Sequence, residues 1–240
     1  MQLYPLPAET AGAEFLAWEE ALLDAVDAGE SNETLCLWES NRRFVVLGCG
    51  QRAEAEVHLG RCRELGIPVF RRCSGGGAVV QGPGCLNYAV ILRHEASGPL
   101  ASIQGTNRWV MERQRDLLRE ATGLPIELEG HTDLVLNDRK FSGNAQRRKR
   151  GALLFHGTLL LDFHLPTIAE CLRFPSHQPG YRAGRDHLEF VRNLPLGAEE
   201  ARMALVRGWG IGGPVAEPPR ERFRRLWEDR YSQDSWHQRL

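Results

Sequence analysis

Apolar residues first gather at helical spacing. Phe15, Leu16, Trp18, Leu22, Leu23 and Val26 share a broad face of residues 10–28, with Glu19 and Glu20 mostly off it, and Gly29 stands where such a helix would stop. Two short apolar runs, 34–38 and 44–47, read as strands separated by the polar turn 39–43. A helix is expected over 53–65, ending at Gly66. Strands are expected at 67–72 and 77–80, antiparallel to each other across Ser74-Gly75-Gly76-Gly77, with 86–92 as a third. Residues 102–122 place Trp109, Val110, Leu117, Leu118 and Ala121 on or near one side of a second long helix, with Gly123 as its stop. Strands at 126–128, 133–136 and 140–142 follow, the last two joined by a tight turn at Asn137-Asp138. The run 152–161 is apolar almost throughout, which suits a strand covered on both faces. Pro166 can open a short helix to Leu172. Residues 173–187 read as a long exposed loop, and 198–209 and 219–231 as closing helices. Hairpin-like spacings with occasional helices predict an α+β fold with a largely antiparallel sheet, because a doubly wound parallel sheet needs a helix after nearly every strand.

Composition narrows the class. The 240 residues suffice for one domain, with a core over about 10–194, a C-terminal helical extension over about 195–240 and no separate accessory domain. A net charge of −1 argues against a nucleic-acid binder, and no apolar run reaches membrane-spanning length. The first twenty residues lack the basic-then-apolar order of a secretory signal, and the six cysteines show no pairwise CxxC spacing. A cytoplasmic protein with reduced thiols is expected. The eight histidines make no zinc-ligand spacing with the cysteines.

Three stretches carry candidate chemistry. Arg71-Arg72-Cys73-Ser74-Gly75-Gly76-Gly77 leaves a strand through three glycines, exposing backbone N–H groups as a phosphate or carboxylate requires, with two arginines beside them. It is neither a P-loop nor a dinucleotide fingerprint, since no Gly-Lys-Ser/Thr follows and no Gly-x-Gly-x-x-Gly opens a helix. A glycine-rich hairpin turn with solvated arginines is the plainer alternative. Second, Lys140 begins a strand just after a turn, followed by Ser142-Gly143-Asn144. Lys140 could neutralise a phosphate or a carboxylate under attack, and Asp133 could hold a divalent cation between phosphates. Third, His156-Gly157-Thr158 interrupts an apolar strand, and such breaks of the local rule tend to mark sites.

Taken together and in order, the glycine loop, Asp133-Leu134 with Lys140-Phe141-Ser142-Gly143-Asn144-Ala145, and His156-Gly157-Thr158-Leu159-Leu160 resemble the lipoate–protein ligase family, within the wider group of biotin and lipoate ligases and octanoyltransferases. Trp18-Glu19-Glu20-Ala21-Leu22-Leu23 and Leu35-Cys36-Leu37-Trp38-Glu39 match in order as well, so the resemblance spans about 10–165. It implies a catalytic domain like that of biotin–lipoate ligases and class II aminoacyl-tRNA synthetases. It also implies activation of lipoate with ATP to lipoyl-AMP, then transfer to a lysine of a lipoyl domain of a 2-oxoacid dehydrogenase or of glycine-cleavage H protein. By position, Arg72, Ser74, Gly75, Gly76 and Gly77 would line the acyl and adenylate pocket, with Ser142, Gly143, His156, Gly157 and Thr158 completing it. Lys140 would contact the carboxyl–phosphate junction as the catalytic residue, and Asp133 would lie near the nucleotide or its Mg2+.

Some residues depart from that pattern. Gln81-Gly82 and Thr132 stand where ligases usually have His-Asp and Asn, and Gln81-Gly82-Pro83-Gly84 is closer to the octanoyltransferase branch. Only about 45 residues follow Asn193, too few for an accessory domain with its own core, which implies either a separate accessory ligase subunit or acyl transfer alone. The competing expectations are therefore an octanoyl or lipoyl transferase taking its acyl group from acyl carrier protein through a cysteine thioester, and an inactive acyl-binding protein. Cys73, Cys85 and Cys171 are the candidate thiols, Cys73 because adjacent arginines could lower its pKa. Arg147–Arg150 and the 173–187 loop are candidate contacts for an acidic lipoyl domain.

Overall fold

The computed structural model describes residues 1–7 and 9–239. Among these residues, ten strands form two sheets. The larger contains β1 (Gln2–Tyr4), β2 (Thr34–Trp38), β6 (Cys85–Arg93), β10 (Ala152–Leu160), β9 (Arg139–Arg148), β8 (Asp133–Leu136) and β7 (Glu127–Glu129), in that spatial order. Every pairing in it is antiparallel except β1 on β2. The smaller sheet is β4 (Val69–Arg71), β3 (Phe44–Leu47) and β5 (Val79–Gln81), with β3 in the middle, parallel to β4 and antiparallel to β5. The mixed, mostly antiparallel α+β architecture is the expected one.

Side-chain alternation divides the core. Even-numbered residues of β6 (Leu86, Tyr88, Val90, Leu92) join Leu153, Phe155 and Phe141 beneath α4 (Ile103–Thr122) and α7 (Ala198–Gly208). On the opposite face, Ala89, Ile91 and Leu154 pack against α1 (Ala13–Asp27). Farther along that face, Cys85 and Leu160 meet the small sheet, α3 (Leu59–Glu64) and α5 (Pro166–Cys171). β10 lies between β6 and β9 and is covered on both faces, which accounts for its unbroken apolar run.

Local signals set several boundaries. Ser102 caps α4 by accepting from Gly105 N, and Gly123 closes it in the left-handed region at φ 67°. Asn137 and Asp138, both at positive φ, make the two-residue turn between β8 and β9. Residues 53–65 form two short helices, α2 (Ala53–Glu56) and α3, because Val57 leaves the helix to bridge Leu172. α6 (His187–Phe190) follows the 173–187 loop.

The glycine loop is not a hairpin. β4 and β5 flank β3 instead of pairing with each other, and β6 belongs to the other sheet, so the loop crosses over the top of β3. Near the C-terminus, α8 (Arg220–Leu226) runs into a π-helical turn, 227–231, and then α9 (Asp234–His237). Phe223 stacks on Trp18 of α1 with ring centroids 4.0 Å apart, and Tyr231 is buried in the α1 cluster. This segment therefore packs as part of the core around α1. Among the described residues, no helix is long and apolar enough to cross a membrane.

Candidate active site

A cavity of about 550 Å³ opens between the large sheet, α1, the small sheet and the 173–187 loop. Gly76, Gly77, Lys140, Asp133, His156 and Thr158 all line it, so the three stretches singled out in the sequence converge on one space.

Alternation along β4 sends Arg71 and Arg72 to opposite sides. Arg72 turns inward and folds the loop from within. Its Nε donates to Ser74 Oγ at 3.0 Å, and its Nη2 donates to the carbonyls of Gly75 at 2.5 Å and Gly77 at 2.9 Å. Burial pulls its pKa down to about 10, so it remains a cation at neutral pH. With those carbonyls occupied, the amide N–H groups of Gly75, Gly76 and Gly77 donate to no protein acceptor among the described residues. The loop thus presents donors, as an anion cradle must. Arg72 borders the cavity with its donors spent on the loop, and Arg71 is buried on the far side, so neither is a free oxyanion clamp.

Below the loop runs a directional relay. Ser74 Oγ lies 2.6 Å from His156 Nε2, His156 Nδ1 lies 2.5 Å from Glu19 Oε2, and Trp38 Nε1 donates to Glu19 Oε1 at 2.9 Å. A carboxylate can only accept, so the His156 nitrogen facing Glu19 is an N–H donor. The residue order is that of a serine hydrolase triad, yet Ser74 is 1% exposed, lies outside the cavity lining and receives the Arg72 donor. The relay ties the loop to α1 and β10 and does not present a nucleophile.

Glu19 is a site residue that the sequence pattern does not single out. Its spacing puts it mostly off the apolar face of α1, yet it is 2% exposed and Glu20 4%. Glu20 accepts from Arg230 Nη1 and from Tyr231 Oη at 2.6 Å. The available signal was that α1 is apolar nearly all round, so any carboxylate on it needed a buried partner.

Lys140 Nζ pairs with Asp133 Oδ1 at 2.8 Å, and Tyr181 Oη donates to Asp133 Oδ2 at 2.8 Å. Burial, reinforced by Asp133, holds the Tyr181 phenol protonated. Register explains how Lys140 arrives there. Leu134 faces Ser142 and Val135 faces Lys140, so a bulge at Phe141 leaves one extra residue on β9. The lysine stem then lies over Gly143, where a Cβ would come within 2.7 Å of Nζ. Asn144 holds the neighbouring backbone, donating to Thr132 O at 2.7 Å and accepting from Tyr88 Oη.

Asp133 offers one carboxylate in this part of the cavity, and among the described residues no cluster of three His, Cys, Asp or Glu side chains could hold a metal by itself. A single carboxylate completed by phosphate oxygens and water is an ordinary magnesium environment, so the donor set fits an ion that arrives with a nucleotide.

The thiols lie elsewhere. Cys73, Cys85 and Cys171 are buried and none lines the cavity. Burial pushes all three thiols up, that of Cys171 to about 12. The arginines next to Cys73 do not lower its pKa as anticipated, because desolvation and the carboxylates of Glu20 and Glu19 prevail. In the basic turn, Lys149 pairs with Asp24, and Arg148 donates to Thr106 Oγ1 and Leu100 O. Two of its four cations therefore bind the chain itself.

Residues 11–198 match the model of the lipoyl protein ligase A/B catalytic domain, and the chain belongs to that family. It is 26% identical to lipoate-protein ligase A subunit 1 of Thermoplasma acidophilum, over 94% of this chain and 91% of that protein. It is 28% identical to the octanoyltransferase LipM of Symbiobacterium thermophilum, over 95% and 94%. Among solved structures, a T. acidophilum protein with bound lipoic acid superposes with a TM-score of 0.83 at 26% identity, covering 99% of this chain and 98% of that one. One from a T. acidophilum study of a bi-partite lipoate protein ligase and its E2 lipoyl domain gives 0.83 and 26%, covering 99% and 96%. A lipoate-protein ligase A bound with ATP gives 0.83 and 27%, covering 99% of each chain.

Proposed function

We propose that this chain is the catalytic part of an ATP-dependent lipoate–protein ligase, acting on the lysine of a lipoyl domain. The observation that carries the reading is the lining of the cavity: a lysine cation and a loop of free amides, with no cysteine. A thioester route needs a thiolate at the acyl group, whereas adenylation needs donors for a phosphate.

In the first half-reaction a lipoate carboxylate oxygen attacks the α-phosphorus of ATP, the bond to the β-phosphate oxygen breaks, and pyrophosphate leaves. Negative charge builds on the α-phosphate as it does so. Lys140 has three N–H donors and uses one on Asp133, which leaves two for the phosphate and the carboxylate. The Gly76 and Gly77 amides supply further fixed donors without reorganisation. Asp133 would hold Mg2+, which screens the phosphates when bound. In the second half-reaction the acceptor lysine amine attacks the acyl carbon of the mixed anhydride and AMP leaves, with Lys140 again opposite the departing charge. The apolar side of the cavity, with Leu16, Trp38 and Val46, suits the hydrocarbon part of the acyl group.

Similarity to the T. acidophilum subunit favours a separate accessory subunit. Glycine-cleavage H protein is a further candidate acceptor. The second reading, octanoyl transfer, rests on the similarity to LipM and on Gln81-Gly82-Pro83-Gly84. The deciding experiment incubates the chain and a lipoyl-domain acceptor with lipoate and Mg-ATP, or with octanoyl-acyl carrier protein. Pyrophosphate release and a lipoylated acceptor are expected. Product from the acyl carrier alone, with a thiol-blockable acyl-enzyme, would overturn the ligase.

A further inference from the structure

Arg71 is 0% exposed and, among the described residues, has no carboxylate partner. Its guanidinium is held by main-chain carbonyls from two separate segments. Nη1 donates to Gly48 O at 3.0 Å and Gln51 O at 2.6 Å; Nη2 donates to His237 O at 3.1 Å and Arg239 O at 2.7 Å; Nε donates to Trp236 O at 3.2 Å. The C-terminal segment also covers the outer edge of β4. The Arg71 N–H donates to His237 Nδ1 at 3.0 Å, and Trp236 Nε1 donates to Arg71 O at 2.8 Å. An edge strand normally leaves these two groups open, and here side chains of residues 236 and 237 close them.

The 48–51 turn, in its turn, backs the glycine loop. Cys49 N donates to Ser74 O at 2.8 Å, and Gly76 O occupies the space that a Cβ at Gly48 would need. Arg239 reaches the same turn by donating to Cys49 O at 3.0 Å. The contacts therefore run without a break from 236–239 through Arg71 and 48–51 to Ser74 and Gly76. Arg72 shapes the loop from inside, and this path supports it from outside.

We propose that residues 234–239 are a positioning element for the glycine loop, acting through Arg71 and the 48–51 turn, so that detaching them loosens the loop while the two sheets stay folded. What the loop binds rests on the ligase reading. Whether the tail holds it does not, because amide exchange requires no substrate.

The test is hydrogen exchange on the full chain carrying His237→Leu, which removes the acceptor for Arg71 N–H, alongside His237→Asn, whose side-chain oxygen can replace Nδ1. In His237→Leu, exchange at the hydrogen-bonded amides of Gly48, Cys49 and Gln51, of which Cys49 N–H is held by Ser74 O of the loop, should rise about tenfold, with α4 and β10 unchanged. His237→Asn should restore most of the protection. Trp236→Phe, which removes a single indole N–H, should give the same pattern more weakly and serves if His237→Leu does not fold. Faster exchange confined to 232–239 would overturn the proposal, and so would a uniform rise across α4 and β10 in both the Leu and the Phe variants. Loss of lipoate or ATP binding by the unaltered chain would instead count against the ligase reading.

Discussion

Gly157 and Asn144 face each other across β9 and β10 so closely that a Cβ on residue 157 would overlap Asn144 Oδ1. Gly157 is therefore the space that lets Asn144 span Thr132, Ser142 and Tyr88. Gly157→Ala should displace Asn144 and move the strand that carries Gly143 and Lys140. A loss of about 100-fold in adenylate formation is expected, with the far-ultraviolet spectrum retained. Pyrophosphate release against a matched circular dichroism trace checks it, and unchanged turnover would mean that Asn144 does not set the geometry.

Lys140→Ala removes the one lysine cation among the cavity-lining residues. Asp133 keeps its bond to Tyr181, so the fold should survive. Adenylate formation should fall by about 100-fold or more. Lys140→Arg should recover little of it, because a planar guanidinium cannot fit where the stem crosses Gly143. Single-turnover assays of each half-reaction would show whether one or both depend on Nζ.

Five of the six cysteines are buried, and Cys49 alone is half-buried. A brief pulse of iodoacetamide on the native chain should label Cys49 ahead of the others, and all six after denaturation. Peptide mass spectrometry reads the sites. Rapid labelling of Cys73, Cys85 or Cys171 in the folded protein would reopen the thioester route.

His237 donates from Nε2 to Tyr231 O and accepts at Nδ1, so only the neutral imidazole makes both bonds. Burial lowers its pKa, with Asp234 opposing and Arg71 adding to the shift. The unfolded chain binds this proton more readily than the folded one. Its contribution to stability is present above the unfolded value of about 6.5 and is lost as pH falls below it. Urea midpoints measured between pH 8 and pH 5 should decline, and His237→Asn should flatten part of that decline. Identical slopes in the two proteins would show that His237 is not a source.

Glu19→Gln keeps the shape of the relay and reverses one end of it, since an amide N–H in place of Oε2 would face the N–H on His156 Nδ1. One buried polar group is left unsatisfied, at a cost of about 1–3 kcal/mol. Thermal denaturation should record the drop, and lipoate affinity should weaken with it because Glu19 and His156 both line the cavity.

Local features could be read from the sequence before the structure. The α4 stop at Gly123, the Asn137-Asp138 turn and the doubly covered β10 each depend on a few adjacent residues. The convergence of Ser74, Lys140 and His156 could be read only through the order of their motifs, since no spacing rule brings residues so far apart in the chain together. Features set by long-range pairing were hidden. That β3 separates β4 from β5 depends on how two sheets stack, and that Glu19 meets His156 depends on where α1 lies across β10. The roles of the paired arginines were hidden for a different reason: composition gives their charge, but only strand alternation tells which side each one serves.

Strand alternation makes Arg71 and Arg72 two identical letters with opposite duties. Deleting a single residue just before Arg71 would leave an arginine pair in the text of the sequence while rotating each of them half a turn. The arginine that now folds the loop would face the C-terminal segment, and its neighbour would take the place of Phe70 in the apolar cluster around α1. Aligning relatives by the arginine doublet alone can therefore hide a frame slip that inverts the site. The in-register partner to check is Leu47, which sits opposite Arg71 on β3.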